Sequence, residues 1–171
     1  MKLIFDLDVE QCIGCGACSV ACMDQNDFEP GPGRLPYRTA FTLETRGEGG
    51  CRCESLSMAC MHCADAPCVK ACPAGCISKD GETGLTVFNN SNCIGCRSCA
   101  MACPFGAPRF DQKGRMVKCD GCIDRLENGL EPACVRICPF DALRVCTEEE
   151  YASIRTGKGL HRMSQVILDR G

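Results

Sequence analysis

The chain has 171 residues and a formal charge of −3; 20 residues are cysteine, Trp is absent, and there are 7 Phe and 2 Tyr. An acidic balance without clustered Lys and Arg excludes a nucleic-acid surface, and so few aromatics leave too thin an apolar interior to hold the fold unaided. No apolar run approaches the ~18 residues of a bilayer span, and MKLIFDLDVEQC lacks the apolar core and cleavage site of a secretory signal, so the expected location is cytoplasmic, with export beside a signal-bearing partner left open.

Residues 2–8 read as a strand leading into a first cysteine group, Cys12-Ile-Gly-Cys15-Gly-Ala-Cys18-Ser-Val-Ala-Cys22, and residues 19–25 as a short helix after it. PGPGRLP at residues 30–36 breaks the chain into turns. Tyr37, Thr39, Phe41 and Leu43 then alternate with Arg38, Thr42 and Glu44, the period-2 mark of a half-buried strand, which residues 47–50 punctuate. Cys51 and Cys53 precede the second group, Cys60-Met-His-Cys63 with Cys68-Val-Lys-Ala-Cys72-Pro73. Cys76 follows, then a hairpin bracketed by Lys79-Asp80-Gly81 and Thr83-Gly84 with a return strand at residues 85–88.

The third group, Cys93-Ile-Gly-Cys96-Arg-Ser-Cys99-Ala-Met-Ala-Cys103-Pro104, repeats the first at seven of eleven positions from Cys to Cys. The fourth, Cys119-Asp-Gly-Cys122 with Cys134-Val-Arg-Ile-Cys138-Pro139, shares its closing pattern with the second. Residues 143–146 read as a strand. Thr147 with Glu148, Glu149 and Glu150 forms a capping box for a helix to about residue 156, with Gly157 as its stop. Residues 160–171 read as a last strand, an arm gripping a partner, or a partly ordered tail.

Four quartets supply sixteen thiols, and the spacing C-x2-C-x2-C-x3-C suits cubane clusters. Three thiolates come from one tight loop and the fourth from another, so each pair of loops is tied together. Gly14, Gly16, Gly95 and Gly121 lie within the loops, where a missing side chain lets backbone N–H groups approach sulfur. A disulfide framework fits poorly with repeated CxxC groups in a chain lacking an export signal. Structural zinc is the stronger rival, but a third Cys at the same interval and a closing Cys-Pro are not zinc habits.

The sequence therefore points to four 4Fe-4S clusters, with Cys51, Cys53, Cys76 and Cys146 left unassigned as small hydrophobes or free thiols. An extra metal or redox role for Cys51-Arg-Cys53 stays open. Sixteen thiolates around four oxidised cores add about eight negative charges. Lys70, Arg97, Lys118 and Arg136 lie in the motifs, either offsetting that charge or simply solvated; His62 is either a packed ring or a donor to sulfur.

These quartets, with SLSMACMHCADAPCVKACP, NCIGCRSCAMACPFGAPRF and KCDGCIDRLENGLEPACVRICPFDALRV, resemble the four-cluster ferredoxin subunit of the dimethyl sulfoxide reductase family from residue 2 to about 146. The resemblance implies an α+β fold of two ferredoxin-like modules, one inserted in the other: residues 1–53 plus 112–147 outside, 54–111 inside, and 148–171 as a C-terminal helix and tail. It also implies ligand sets. One cluster takes Cys12, Cys15, Cys18 and Cys138, and its neighbour takes Cys119, Cys122, Cys134 and Cys22. Inside, one takes Cys60, Cys63, Cys68 and Cys103, the other Cys93, Cys96, Cys99 and Cys72.

Met23 follows Cys22 where this pattern closes on Pro, and Cys76 occupies a site that usually holds a small residue; neither removes a ligand. The small iron-sulfur subunit of tungsten aldehyde oxidoreductases is also similar. The implied role is a non-catalytic electron relay between a large molybdenum or tungsten pterin subunit and a further redox subunit or soluble carrier. A free polyferredoxin, or a subunit of a hydrogenase or formate dehydrogenase complex, is the alternative.

Overall fold

Strand β1 (Leu3–Leu7), near the N-terminus, pairs antiparallel with β8 (Leu143–Thr147), the last strand, with Phe5 opposite Val145. The computed structural model describes residues 2–29, 31, 35–47 and 50–168, with side chains as far as residue 158. Between these strands lie α1 (Ala17–Gln25), β2 (Thr39–Gly47), β3 (Gly50–Met58), α2 (Pro67–Lys70), β4 (Ile77–Lys79), β5 (Thr86–Phe88), α3 (Ser98–Ala102), β6 (Arg109–Phe110), β7 (Met116–Val117), α4 (Ile123–Glu127) and α5 (Ala133–Arg136). Helix α6 (Glu148–Leu168) ends the described chain. Among the described residues the strands form four separate antiparallel pairs, β1–β8, β2–β3, β4–β5 and β6–β7.

Two small cores stand where one larger one would be expected in a chain of this length. One gathers Ala66, Cys68, Ile77, Cys99 and Met116, with Phe88 and Phe110 against it. The other gathers Cys18, Cys134 and Leu143, with Phe5, Leu7, Ala40 and Val135. Cysteines are thus themselves core residues, as small apolar groups readily are.

The expected strands at residues 2–8, 85–88 and 143–146 appear as β1, β5 and β8. The hairpin turn β4–β5 is fastened by Asp80, whose Oδ2 accepts from Thr83 N at 2.7 Å and Thr83 Oγ1 at 2.6 Å. The capping box also forms: Thr147 Oγ1 accepts from Glu150 N at 3.2 Å, while Glu150 Oε2 accepts from Thr147 N at 2.8 Å.

Two expectations change. Strand β2 is not half-buried, because it pairs with β3 in a two-stranded arm with Phe41 and Leu43 exposed. Alternation marks a strand but does not provide a second layer to cover it. Helix α6 runs through Gly157 to Leu168, so residues 160–168 form no strand; an interior glycine costs only ~1 kcal/mol and does not stop a helix whose start is well capped. Strand β3 itself spans position 53/54, and the β6–β7 pair spans 111/112. The rest of the turn at residues 30–36, the centre of the 47–50 turn and the last three residues lie outside the described residues.

Candidate iron-sulfur sites

The cysteine loops fold as tight turns that open short helices. Cys15-Gly16 leads into α1, where Gly16 has φ 76°, and the repeated loop leads into α3 through Arg97 at φ 65°. Gly95 needs its missing side chain: a Cβ there would stand 2.8 Å from Gly114 O. This loop therefore lies close against the turn at Gly114.

Among the described residues three cavities are lined by cysteines from two separated stretches of chain. Cys12, Cys15, Cys18 and Cys138 line one, with Ile13, Ala40, Phe140 and Leu143. Cys22, Cys119, Cys122 and Cys134 line another. Cys72, Cys93, Cys96 and Cys99 line a third, with Cys76 as a fifth thiol on its wall. For Cys60, Cys63, Cys68 and Cys103, burial and the sulfurs of Cys60 and Cys103 push the Cys68 thiol up while Lys118 opposes them, and Lys79 Nζ donates to Cys63 O at 2.8 Å.

Among the described residues no three His, Cys, Asp or Glu side chains gather closely enough to hold a single metal ion. The spacing of the thiols along the loops, not the space between them, is what favours a cubane over zinc.

Donors converge on the sulfurs. Met116 N lies 3.3 Å from Cys93 Sγ, Cys76 N 3.3 Å from Cys72 Sγ, and Gly121 N 3.4 Å from Cys119 Sγ. Ser57 Oγ lies 3.2 Å from Cys18 Sγ. Burial pushes the Cys119 thiol up to about 12 and Cys122 to about 11, so these sulfurs become thiolates only with a cationic partner. Arg38 lines the Cys22 cavity, is buried, and has a buried Nε without a hydrogen-bond partner. An orphaned guanidinium N–H beside four thiols suits an anionic cluster.

Of the basic residues singled out in the motifs, Lys118 alone is fully buried. Lys70 pairs on the surface with Asp65 at 2.5 Å, Arg97 lies over the Phe110 ring at 5.0 Å, and Arg136 is exposed. His62 is buried and its ring is held down to about 3 by desolvation, then by Lys118, Lys79 and Arg38, so the ring is neutral. Cys51 and Cys53 are exposed on the β2–β3 arm, away from all three cavities, whereas Cys76 and Cys146 are buried.

Arg38, Ser57 and Lys79 were not among the residues singled out from the motifs. Arg38 belonged to an alternating strand pattern and Lys79 to a turn, and neither position carries a local signal of a distant sulfur. Among the described residues no helix is long and apolar enough to cross a membrane.

A family model described as a 4Fe-4S dicluster domain matches residues 51–148. The B subunit of the anaerobic dimethyl sulfoxide reductase of Haemophilus influenzae is 42% identical over 147 residues, covering 81% of this chain and 71% of that protein. The thiosulfate reductase electron transfer subunit PhsB of Salmonella typhi is 40% identical over 139 residues, covering 80% and 71%. The iron-sulfur subunit of the nitrate-inducible formate dehydrogenase of Escherichia coli is 37% identical over 158 residues, covering 84% of this chain and 54% of that longer protein. Clusters of the 4Fe-4S type are accordingly its cofactors, and the chain belongs to the 4Fe-4S dicluster family of iron-sulfur electron-transfer subunits.

Proposed function

We propose that the chain is a non-catalytic relay of four 4Fe-4S clusters, carrying electrons between a large molybdenum or tungsten pterin subunit and a further redox subunit or soluble carrier. The carrying observation is that three cavities are each walled by a complete cysteine quartet assembled from two distant stretches of chain. The sets are Cys12, Cys15, Cys18 and Cys138; Cys22, Cys119, Cys122 and Cys134; Cys60, Cys63, Cys68 and Cys103; and Cys72, Cys93, Cys96 and Cys99. Bound there, the clusters supply one-electron redox chemistry. The residues hold them, exclude water and aim N–H groups at the sulfurs, which favours the reduced, more negative state.

The nested arrangement belongs to the same reading. The outer segments joined by β1–β8 carry the core of Cys18, Cys134 and Leu143, and the segment between carries the core of Cys68, Cys99 and Met116. The relay also needs openings. Cys15 and Cys96, equivalent in the repeated motif, are the exposed members of their quartets, and apolar Ile13, Phe140 and Ile94 stand exposed on the same cavity walls. Such surfaces suit docked redox partners, which favours a subunit over a free polyferredoxin.

An anaerobic pull-down with metal analysis tests the reading. About sixteen irons per chain, together with a large subunit carrying molybdenum or tungsten, is the expected result. Zinc in place of iron overturns the relay, and full iron in a chain that brings down no partner makes it a free carrier.

A further inference from the structure

Lys118 is fully buried, an arrangement that a charged side chain tolerates only with its donors satisfied and a counter-charge at hand. Its ammonium has three N–H groups and meets three acceptors: Thr86 O, Cys119 O at 2.5 Å and Cys60 Sγ at 3.9 Å. Among the described residues it has no carboxylate partner. In sequence Lys118 adjoins Cys119, whereas the sulfur it reaches belongs to Cys60, in the other proposed module.

His62 mirrors it. The ring lies in the loop between Cys60 and Cys63, stacks on Phe5 with centroids 5.5 Å apart, and accepts from Thr86 N at Nδ1 at 3.0 Å. An Nδ1 that accepts leaves the hydrogen of the neutral ring on Nε2, and Nε2 lies 3.6 Å from Cys119 Sγ. Each loop therefore lends a donor to a sulfur of the other quartet, and Thr86 joins the two donors through its own N–H and carbonyl.

We propose that Lys118, Thr86 and His62 form a reciprocal polar bridge between the Cys22/Cys119/Cys122/Cys134 and Cys60/Cys63/Cys68/Cys103 clusters, raising the reduction potentials of these two together. The physical reason is that an N–H donor or a cation at a ligand sulfur stabilises the extra negative charge of the reduced state. A cation placed between two clusters acts on both, so the electron passes between sites whose potentials are moved in step. Lys118 and His62 are thus positioning residues of the central junction, and Lys79, which donates to the carbonyls of His62 at 3.1 Å and Cys63 at 2.8 Å, holds the loop in place.

The inference rests on the ligand sets proposed above, and one experiment separates the two. Lys118→Met, Lys118→Gln, His62→Phe and His62→Gln are made in the full chain, and iron content and potentiometric EPR titrations are measured for each. The expected result for Lys118→Met is unchanged iron and at least a tenfold fall in the reduction equilibrium of two of the four clusters, about 59 mV downward for a one-electron step. The other two clusters stay in place. His62→Phe lowers the potential at the Cys119 cluster, and His62→Gln, which keeps a donor, restores most of it.

Full iron with all four potentials unmoved overturns the bridge, as does a uniform shift of all four. A wild-type iron content well below sixteen overturns the ligand sets instead. Should Lys118→Met fail to fold, exchangeable-proton couplings by ENDOR in the wild-type protein read the same contacts: their presence at two clusters supports the bridge and their absence overturns it.

Discussion

Gly121→Ala probes how tightly the Cys119–Cys122 loop is pressed against the interior. Gly121 has φ 81°, and a Cβ there would stand 2.7 Å from Leu85 Cδ1 and 3.4 Å from both His62 Cε1 and Phe5 Cε2. Leu85 is 0% exposed, so its methyl has little room to withdraw. The left-handed backbone costs an alanine ~1–2 kcal/mol and overpacking a filled site adds ~1–3 kcal/mol, together ~2–5 kcal/mol.

Gly129→Ala separates the two contributions, since Gly129 has φ 70° and nothing within 4 Å of its added Cβ; it should cost the backbone share alone. The assay is anaerobic thermal loss of cluster absorbance, with iron counted before heating. Adding Leu85→Ala to Gly121→Ala should recover the clash, giving a coupling of ~1–3 kcal/mol in the double-mutant cycle. Equal losses for Gly121→Ala and Gly129→Ala, or a cycle without coupling, would refute the close approach.

Lys158 donates to Asp8 Oδ2 at 2.5 Å, which with burial opposing holds the Asp8 carboxyl below its usual range and fastens α6 to the end of β1. Because the folded value is lowered, that stabilisation is complete above pH ~3.8 and is lost as pH falls through the depressed value. Asp8→Asn removes it at neutral pH and should speed proteolytic release of α6, at a cost of about 1 kcal/mol. Thr147→Ala deletes the cap of the same helix and should cost ~1 kcal/mol, read as a lowered melting midpoint and reduced helical circular dichroism. Cys76→Ala should leave iron content unchanged, since the N–H that reaches Cys72 Sγ belongs to the backbone, whereas Cys93→Ala should lose about four irons; iron lost from both would make Cys76 a ligand. Stripping iron with a chelator should abolish the cooperative fold, and native circular dichroism surviving in the iron-free chain would disprove that dependence.

The quartets were legible because a cluster demands its thiols at fixed local intervals, and Thr147 with Glu150 because a cap is also local. Strand β3 was not, since Cys51 and Cys53 read first as spare thiols or metal ligands rather than as the apolar positions of the alternating Cys51-Arg52-Cys53-Glu54 run that pairs with residues 43–46 across the arm. The exposure of Phe41 and Leu43 was hidden for a related reason: period 2 names two faces without saying whether either is covered. Gly157 read as a stop because the rule for C-caps cannot see that the helix continues on both sides of a tolerated glycine. The approach of Lys118 to Cys60 and of His62 to Cys119 joins residues more than fifty apart, and no short-range pattern encodes it.

Buried Arg38 and Lys118 lead to one physical conclusion about the whole molecule. Each is a cation without a carboxylate partner among the described residues, and each faces cysteine sulfurs, Arg38 on the wall of the Cys22 cavity and Lys118 against Cys60. In a chain stripped of iron the nearby thiols are neutral where burial raises them, as at Cys119 and Cys122, and the two cations lose their counter-charge in a poorly solvated interior. In the proposed ligand sets, loading converts the same sulfurs to thiolates, and the cations turn from a cost into an attraction. Cys18, Cys68, Cys99 and Cys134 meanwhile sit at the centres of the two cores. Packing and charge balance therefore both close only around the loaded quartets, which couples folding to cluster insertion at the same residues that would set the relay's potentials.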